Sequence, residues 1–167
     1  GQKAEALKKA INDNFWVEED GYYASYLYGR QNLTRTQQSE TLGESFCVLF
    51  GIADEERAAK VISSMPVGEF GPPIFSPQIV SQPDYHNNGV WPYVTSFWGK
   101  AAAKVGNETA LMHALACNVR TASIYATNYE NYSFNTGNPY TTQINSPNML
   151  WGLSGFMGLF HRTFFGL

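Results

Sequence analysis

The sequence has few of the residues that build disulfide or metal frameworks. It has only two cysteines, Cys47 and Cys117. Each lies in an apolar, helix-like run (FCVLF and LACNV), where a buried free thiol is the default, and two cysteines make no disulfide framework. The three histidines are His86, His113 and His161, and no HxxxH or CxxC spacing accompanies them. We therefore predict neither a metal site nor a cofactor.

Charge of one sign and long hydrophobic runs are also scarce. The net charge is only −3 at pH 7, and no basic stripe occurs, so nucleic acid is not an expected partner. No run of about 18 apolar residues occurs, so we expect no membrane span. No signal peptide is recognisable, and the chain begins with Gly1 instead of Met, which suggests a trimmed chain. The sequence therefore favours no particular cellular compartment.

Aromatic side chains, in contrast, are abundant. They make up 15% of the sequence, including 10 Tyr and 4 Trp. One interpretation is a large aromatic core. The other is sugar binding, because the apolar C–H faces of a pyranose ring stack on aromatic rings while amides hydrogen-bond its hydroxyls. With 167 residues and 44% hydrophobic residues, the chain corresponds to about one domain, residues 1–167, with a substantial core.

Hydrophobic periodicity and capping residues predict a helical chain. The predicted helices are residues 3–16, 38–50, 54–64, 91–105, 108–127 and 146–165. Ser39 and Asp54 are the expected N-caps of the second and third helices, and Ser146-Pro147 is expected to open the last one. Only GYYASYL, residues 21–27, suggests a short strand. We therefore predict an all-α fold of helical hairpins.

Two long loops separate these helices. Residues 66–90 hold five of the eight prolines, and a loop of this length inside a compact domain is usually functional or disordered. Its apolar residues favour order. Residues 128–146 are rich in aromatic and amide side chains. Because short turns alternate with long loops along the chain, we predict that both long loops lie at the same end of the helices.

Four acidic residues stand outside the obvious caps and solvent faces. Glu40 and Glu44 are four residues apart on a predicted helix and share a face; they form either a paired acid site or, as we favour, a solvated face. Asp84 precedes YHNNGVWPY, a run of hydrogen-bonding and stacking groups, and Glu130 lies within NYENY. The segment GLSGF matches the nucleophile pattern GxSxG only superficially, since it lies inside a predicted helix.

Two stretches of the sequence resemble a known enzyme family. YHNNGVWPYVTSFWGKAAAKVGNETAL, residues 85–111, resembles the YHNG-x-VWP segment of six-hairpin glycosidases, which are built on an (α/α)6 toroid. YENYSFNTGNP…INSPNMLWGLSGFMGLFHRTFFG, residues 129–166, is similar to their closing acidic loop and final helix. The segment 129–166 is similar to the closing segment of processing α-glucosidases and, more loosely, to that of glycogen-debranching glucosidases and trehalases. The resemblance covers about residues 38–167.

The resemblance implies a fold and an activity. The chain would be about the C-terminal half of the toroid, within a larger catalytic domain. The whole protein would be an inverting glycoside hydrolase acting on oligosaccharides or polysaccharides, with α-linked glucosides as one expected substrate class. An inverting enzyme uses two carboxyl groups about 6.5–9.5 Å apart. The resemblance implies that Glu130 is the general base, while the general acid lies outside this chain, since neither Glu40 nor Asp84 matches its motif.

The resemblance also implies a sugar pocket lined by Tyr85, His86, Asn88, Trp91 and Tyr132. Amides would bind sugar hydroxyls and Trp91 would be a stacking platform. A second interpretation of Trp91, equally favoured, is a helix start packed into the core.

A general base beside aromatic rings needs hydrogen-bond donors to remain ionised. We expect these donors among the amides of Asn128 and Asn131 and the hydroxyls of Tyr129 and Tyr132.

Two other classes of protein are alternatives to a glycoside hydrolase. The missing general acid favours a non-catalytic carbohydrate-binding module. A helical interaction domain is the third class, because a half-toroid exposes an apolar edge and such edges usually pair. For the same reason we expect the chain to form a homo-oligomer or to pair with the missing N-terminal half of its own chain.

Overall fold

Six α-helices form the framework of the fold, which the computed structural model describes over residues 1–167. They are α1 (Gln2–Asn14), α2 (Thr41–Leu49), α3 (Glu55–Ser64), α4 (Pro92–Lys104), α5 (Glu108–Tyr125) and α6 (Leu150–Gly158), and α6 continues as a π-helix over Leu159–Phe164.

Eight strands of two residues each accompany the helices and pair into four antiparallel sheets. The pairs are β1 (Trp16–Val17) with β2 (Tyr22–Tyr23), β3 (Leu27–Tyr28) with β4 (Thr34–Arg35), β5 (Ser39–Glu40) with β6 (Phe75–Ser76), and β7 (Gly89–Val90) with β8 (Tyr132–Ser133). Helices hold 47% of the residues, and strands together with isolated β-bridges hold 11%. The fold is mixed α/β, and the prediction of an all-α half-toroid is wrong. A two-residue strand is too short to show the alternation that predicts strands.

The strand pair β5–β6 also changes where α2 begins. The sequence predicts a helix from residue 38 with Ser39 as its cap, but Ser39 and Glu40 pair with Ser76 and Phe75. The helix therefore begins at Thr41, and the carboxylate of Glu40 caps it, accepting hydrogen bonds from the backbone N–H groups of its first turn. A glutamate cap is outside the usual Ser, Thr, Asp and Asn set, so the sequence pattern misses it.

The other helix boundaries differ in how well they match the sequence pattern. Asp54 caps α3 as predicted, with its carboxylate accepting from the N–H of Arg57 at 2.9 Å. The predicted range 91–105 is close to α4, which starts at Pro92. The predicted start of the last helix at Ser146-Pro147 is wrong, because α6 begins at Leu150 after an irregular segment.

The centre of the core is α4, which packs against α2, α5 and α6. Small residues allow this close packing. A Cβ atom added at Gly99 would lie 2.8 Å from the Cβ of Ala114 on α5 and 3.1 Å from the side chain of Leu159. Both cysteines are free and buried, as predicted, with Cys47 in the same cluster as these helices.

Apolar side chains remain exposed along α6 and the C-terminal segment. They are Leu150, Trp151, Leu153, Met157, Phe164, Phe165 and Leu167. This surface supports the self-association expected from the sequence, which stays a prediction.

None of the helices combines the length and the hydropathy needed to span a membrane. No group of three or more His, Cys, Asp or Glu side chains is arranged to hold a metal ion.

The close contact of α4 with α5 predicts opposite effects for two helical glycines. Gly99→Ala should lower the free energy of unfolding by about 1–2 kcal/mol, because the new methyl group overpacks the core. Gly152→Ala is the matched control. Its Cβ would have only Pro92 nearby, at 3.9 Å, so the better helix propensity of alanine should leave stability unchanged or raise it by up to about 1 kcal/mol. Urea unfolding of both variants measures this, and a Gly99→Ala variant as stable as Gly152→Ala would contradict it.

Candidate active site

The strand pair β7–β8 joins the two long loops. Gly89 pairs with Ser133, and Val90 pairs with Tyr132. The backbone N–H of Phe134 donates to the carbonyl of Asn88 at 2.8 Å and extends the pairing. The loops 66–90 and 128–146 therefore lie on the same face of the protein, as their alternation with short turns predicts.

Glycine is required at position 89 by a tight turn in the first of these loops. A Cβ atom there would lie 1.7 Å from the carbonyl oxygen of Tyr85. The turn places Tyr85 and His86 directly before β7, at the N-terminal end of α4.

Asp84 links this turn to the second loop. Its carboxylate accepts a hydrogen bond from the amide of Asn88 at 2.8 Å and another from the hydroxyl of Ser133 at 2.7 Å. Its backbone carbonyl accepts from the N–H of Gln143 at 2.8 Å. Hydrogen bonds to an ionised acceptor are the stronger kind, so Asp84 positions the two loops. The amide of Asn88, a predicted sugar ligand, takes part in this link.

Trp91 packs within the protein. It is 6% exposed, and its indole N–H donates to the carbonyl of Tyr85 at 3.0 Å. Of its two interpretations, the structure favours the packed helix start. The exposed ring of His86 stacks on it with centroids 5.0 Å apart and an angle of 19°.

Trp151 belongs to the same aromatic cluster, and the sequence reasoning missed it. Its ring meets that of Trp91 edge-on at 5.6 Å and that of Tyr93 at 4.6 Å, and it is 37% exposed. A tryptophan in an apolar helix carries no sequence signal of this contact. We call Tyr85, His86, Trp91 and Trp151 the aromatic cluster.

Glu130 is half-buried and lies two residues before Tyr132, whose backbone pairs with Val90, the residue before Trp91. Burial first, and the negative charge of Glu130 second, raise the pKa of Tyr85 above its usual value. The backbone N–H of Glu130 donates to the carbonyl of Ser146 at 3.0 Å, which fixes its place in the loop.

None of the four donors expected for the Glu130 carboxylate bonds to it: the amide of Asn128 makes no side-chain hydrogen bond, and the other three are engaged elsewhere. The amide of Asn131 donates to the carbonyl of Ile144 at 3.0 Å, and the hydroxyl of Tyr129 donates to that of Tyr140 at 3.2 Å. The hydroxyl of Tyr132 accepts from the N–H of Tyr129. The carboxylate is therefore left to solvent.

Tyr132 is the predicted site residue that lies farthest from the surface. It is fully buried at 0% exposure, and its ring stacks on that of Tyr125 with centroids 5.7 Å apart. Its side chain packs β8 onto Tyr125 of α5 and is not on the surface that carries His86.

Glu40 and Glu44 do not form a solvated face, and that interpretation is wrong. Glu44 is 1% exposed. One of its oxygens accepts from the N–H of Tyr23 at 2.6 Å, and the other has no partner. Burial raises the pKa of Glu40, whereas its helix N–H bonds and then the positive charge of His86 lower it. The carboxylate of Glu40 is thus committed to capping α2.

The main clefts of the protein do not coincide with this cluster. A cleft of about 700 Å³ lies beside α3 and the start of α5, and one of about 550 Å³ lies between the residues after α3 and those around β5 and β6. Neither contains Glu130 or His86, so a deep sugar pocket at Glu130 needs a further wall.

The buried carboxyl of Glu44 predicts a pH-dependent stability. Burial raises its pKa well above the usual 4.5. A carboxyl whose pKa is higher in the folded state contributes stability that is fully present below its unfolded pKa and is lost as pH rises through the folded pKa. Glu44→Gln stays neutral, so its stability relative to wild type should increase from pH 4 upward, by about 1.4 kcal/mol per unit of pKa difference.

Urea unfolding of wild type and Glu44→Gln across this pH range measures the effect, with the exposed Glu19 changed to Gln as a control. A stability difference between wild type and Glu44→Gln that stays constant from pH 4 to pH 8 would contradict the prediction.

No family model matches this chain, and no curated protein matches it. The case for a function therefore depends on the residues of the site and on the two motifs that compose it.

Proposed function

We propose that this chain is part of a glycoside hydrolase that inverts configuration, with Glu130 as its general base. The observation that carries the proposal is the strand pair β7–β8. It brings together the two segments that resemble six-hairpin glycosidases, and with them Glu130 and the aromatic cluster.

The exposure of Glu130 to solvent, instead of the protein donors expected from the sequence, suits a general base. Its carboxylate is half-exposed and accepts no hydrogen bond from the protein, so its lone pairs are open to water. In an inverting hydrolysis the base takes a proton from a water molecule as the water oxygen bonds to the anomeric carbon. The bond from that carbon to the leaving oxygen breaks, and the general acid protonates the leaving oxygen.

The aromatic cluster suits a sugar ring. Trp151 and His86 present ring surface to solvent, and the buried Trp91 supports both of them. Rings held in place from behind lose little freedom when a ligand stacks on them. We propose that a sugar stacks on Trp151 or His86, and that Trp91 acts through their position.

The general acid is proposed to lie outside residues 1–167, in a larger catalytic domain that includes this chain. Both oxygens of Asp84 accept hydrogen bonds from side chains of the two loops. Both oxygens of Glu40 accept hydrogen bonds at the start of α2. The further domain would also supply the missing wall of the pocket. The isolated chain would then bind sugar without turning it over.

A carbohydrate-binding module is the second candidate. The observation in its favour is that Glu130 is the one carboxylate at the cluster that the protein does not engage, whereas hydrolysis requires two. Sugar binding by the complete protein without release of product would favour this candidate.

The general-base role predicts a specific kinetic defect. In the complete protein, Glu130→Gln should lower kcat on an α-linked glucoside by about 10²–10⁴. Substrate binding should change little, because the lost interaction belongs to the transition state. The amide keeps the size of the side chain but cannot accept the proton of water. Steady-state kinetics and a separate binding titration measure the two effects.

Two variants serve as comparisons. Glu19→Gln alters an exposed carboxylate outside the site and should retain full turnover. Glu40→Gln keeps one acceptor oxygen for the start of α2 and should cost far less than Glu130→Gln. Near-normal turnover in Glu130→Gln together with loss in Glu40→Gln would overturn the assignment and point to α2 instead.

A further inference from the structure

The side-chain amide of Asn145 hydrogen-bonds through both of its polar atoms within the second long loop. Nδ2 donates to the carbonyl of Asn131 at 2.7 Å and to that of Pro139 at 2.8 Å, and it lies 3.1 Å from the hydroxyl of Thr142. Oδ1 accepts from the backbone N–H of Asn131 at 3.3 Å and from that of Ser146 at 3.0 Å. Both donors and both lone pairs of the amide are therefore in use.

These partners require an amide in one orientation. Backbone carbonyls face Nδ2, and backbone N–H groups face Oδ1. An aspartate at this position would present an acceptor to two carbonyl oxygens, which are themselves acceptors. An alanine would leave all of these backbone groups without their side-chain partner.

The same segment holds the backbone on both sides of the Glu130 Cα atom. The N–H of Glu130 donates to the carbonyl of Ser146 at 3.0 Å. The N–H of the next residue, Asn131, donates to Oδ1 of Asn145. The two peptide groups that flank a Cα atom set its φ and ψ angles. Contacts to consecutive residues of one segment therefore fix the direction in which the Glu130 side chain leaves the backbone.

Asn131 anchors this arrangement in the protein interior. It is fully buried at 0% exposure, and its own amide donates to the carbonyl of Ile144 at 3.0 Å. Glu130, in contrast, is half-buried, and its carboxylate accepts no hydrogen bond from the protein. The place of the carboxylate thus depends on the backbone that Asn145 holds.

We propose that Asn145 is the positioning residue of Glu130. It acts through the backbone of residues 130 and 131 and touches neither the water nor the sugar. The inference rests on the proposed role of Glu130 as general base. A base must lie within hydrogen-bond reach of the proton that it takes, and a displacement of about 1 Å can cost about 10²-fold in rate. A half-exposed carboxylate without hydrogen bonds of its own needs a rigid backbone to meet this requirement.

The first part of the test measures the position of Glu130 without turnover. Asn145→Asp keeps the size of the side chain and removes its two donors. In the complete protein, hydrogen exchange at the amides of Glu130 and Asn131, followed by mass spectrometry, should become about tenfold or more faster, the factor that corresponds to one lost hydrogen bond. Asn135→Asp is the matched control, because it adds the same charge at an exposed position of the same loop and should leave this exchange unchanged.

The second part measures the consequence for catalysis. Asn145→Asp should lower kcat on an α-linked glucoside by about 10–10² and leave substrate binding unchanged, whereas Asn135→Asp should retain full turnover. In the Glu130→Gln background the same substitution should cause little further loss, because the base that Asn145 positions is already absent. A purely structural role would lower kcat by the same factor in both backgrounds, and that result would overturn the inference.

The two parts separate this inference from the proposed function. Unchanged exchange at Glu130 and Asn131 in Asn145→Asp, or faster exchange with normal kcat, would overturn the role of Asn145 alone. Normal turnover in Glu130→Gln would overturn the proposed function and, with it, the catalytic role of Asn145. Should Asn145→Asp fail to fold, Asn145→Ala removes the amide without adding a charge, and the same results support or overturn the inference.

Discussion

The carboxylate of Asp84 holds together the two loops from which the candidate site is made. It accepts hydrogen bonds from Asn88 on its own loop and from Ser133 on the other. The strand pair β7–β8 runs between these two contacts, and Ser133 is buried. A charge-assisted hydrogen bond away from solvent is worth more than a neutral one on the surface. The position of Glu130 relative to the aromatic cluster depends on this link.

The helical framework fixes the other half of the arrangement. Because α4 is the central helix of the core, its N-terminal end cannot shift without disturbing α2, α5 and α6. Trp91 immediately precedes α4, and its indole N–H donates a hydrogen bond to the carbonyl of Tyr85. The ring of Trp91 stacks with that of His86 and contacts that of Trp151 edge-on. The rigid helix thus places aromatic rings, and the irregular loop places a carboxylate, which is a common division between scaffold and site.

Sequence patterns predict the parts of this structure that depend on local chemistry. The cap at Asp54 and the Pro92 start of α4 follow from residue preferences within one turn, and the shared face of the two loops follows from loop lengths. Long-range pairing is what the patterns miss. The two-residue strands, the burial of Glu44 against β2 and the contact of Trp151 with Trp91 all join residues distant in sequence. The fold class was predicted wrongly for the same reason, because each two-residue strand is defined only by its pairing with another strand.

The most direct test of this account is a double-mutant cycle on Asp84 and Ser133. The free energies of unfolding of wild type, Asp84→Ala, Ser133→Ala and the double variant are measured by urea denaturation. If the carboxylate of Asp84 joins the loops, the two substitutions should be coupled by about 1.5–3 kcal/mol, the value of a hydrogen bond to a charged group. Additivity within about 0.5 kcal/mol would show that the two residues do not interact, and would contradict the assembly of the site described for Glu130 and the aromatic cluster.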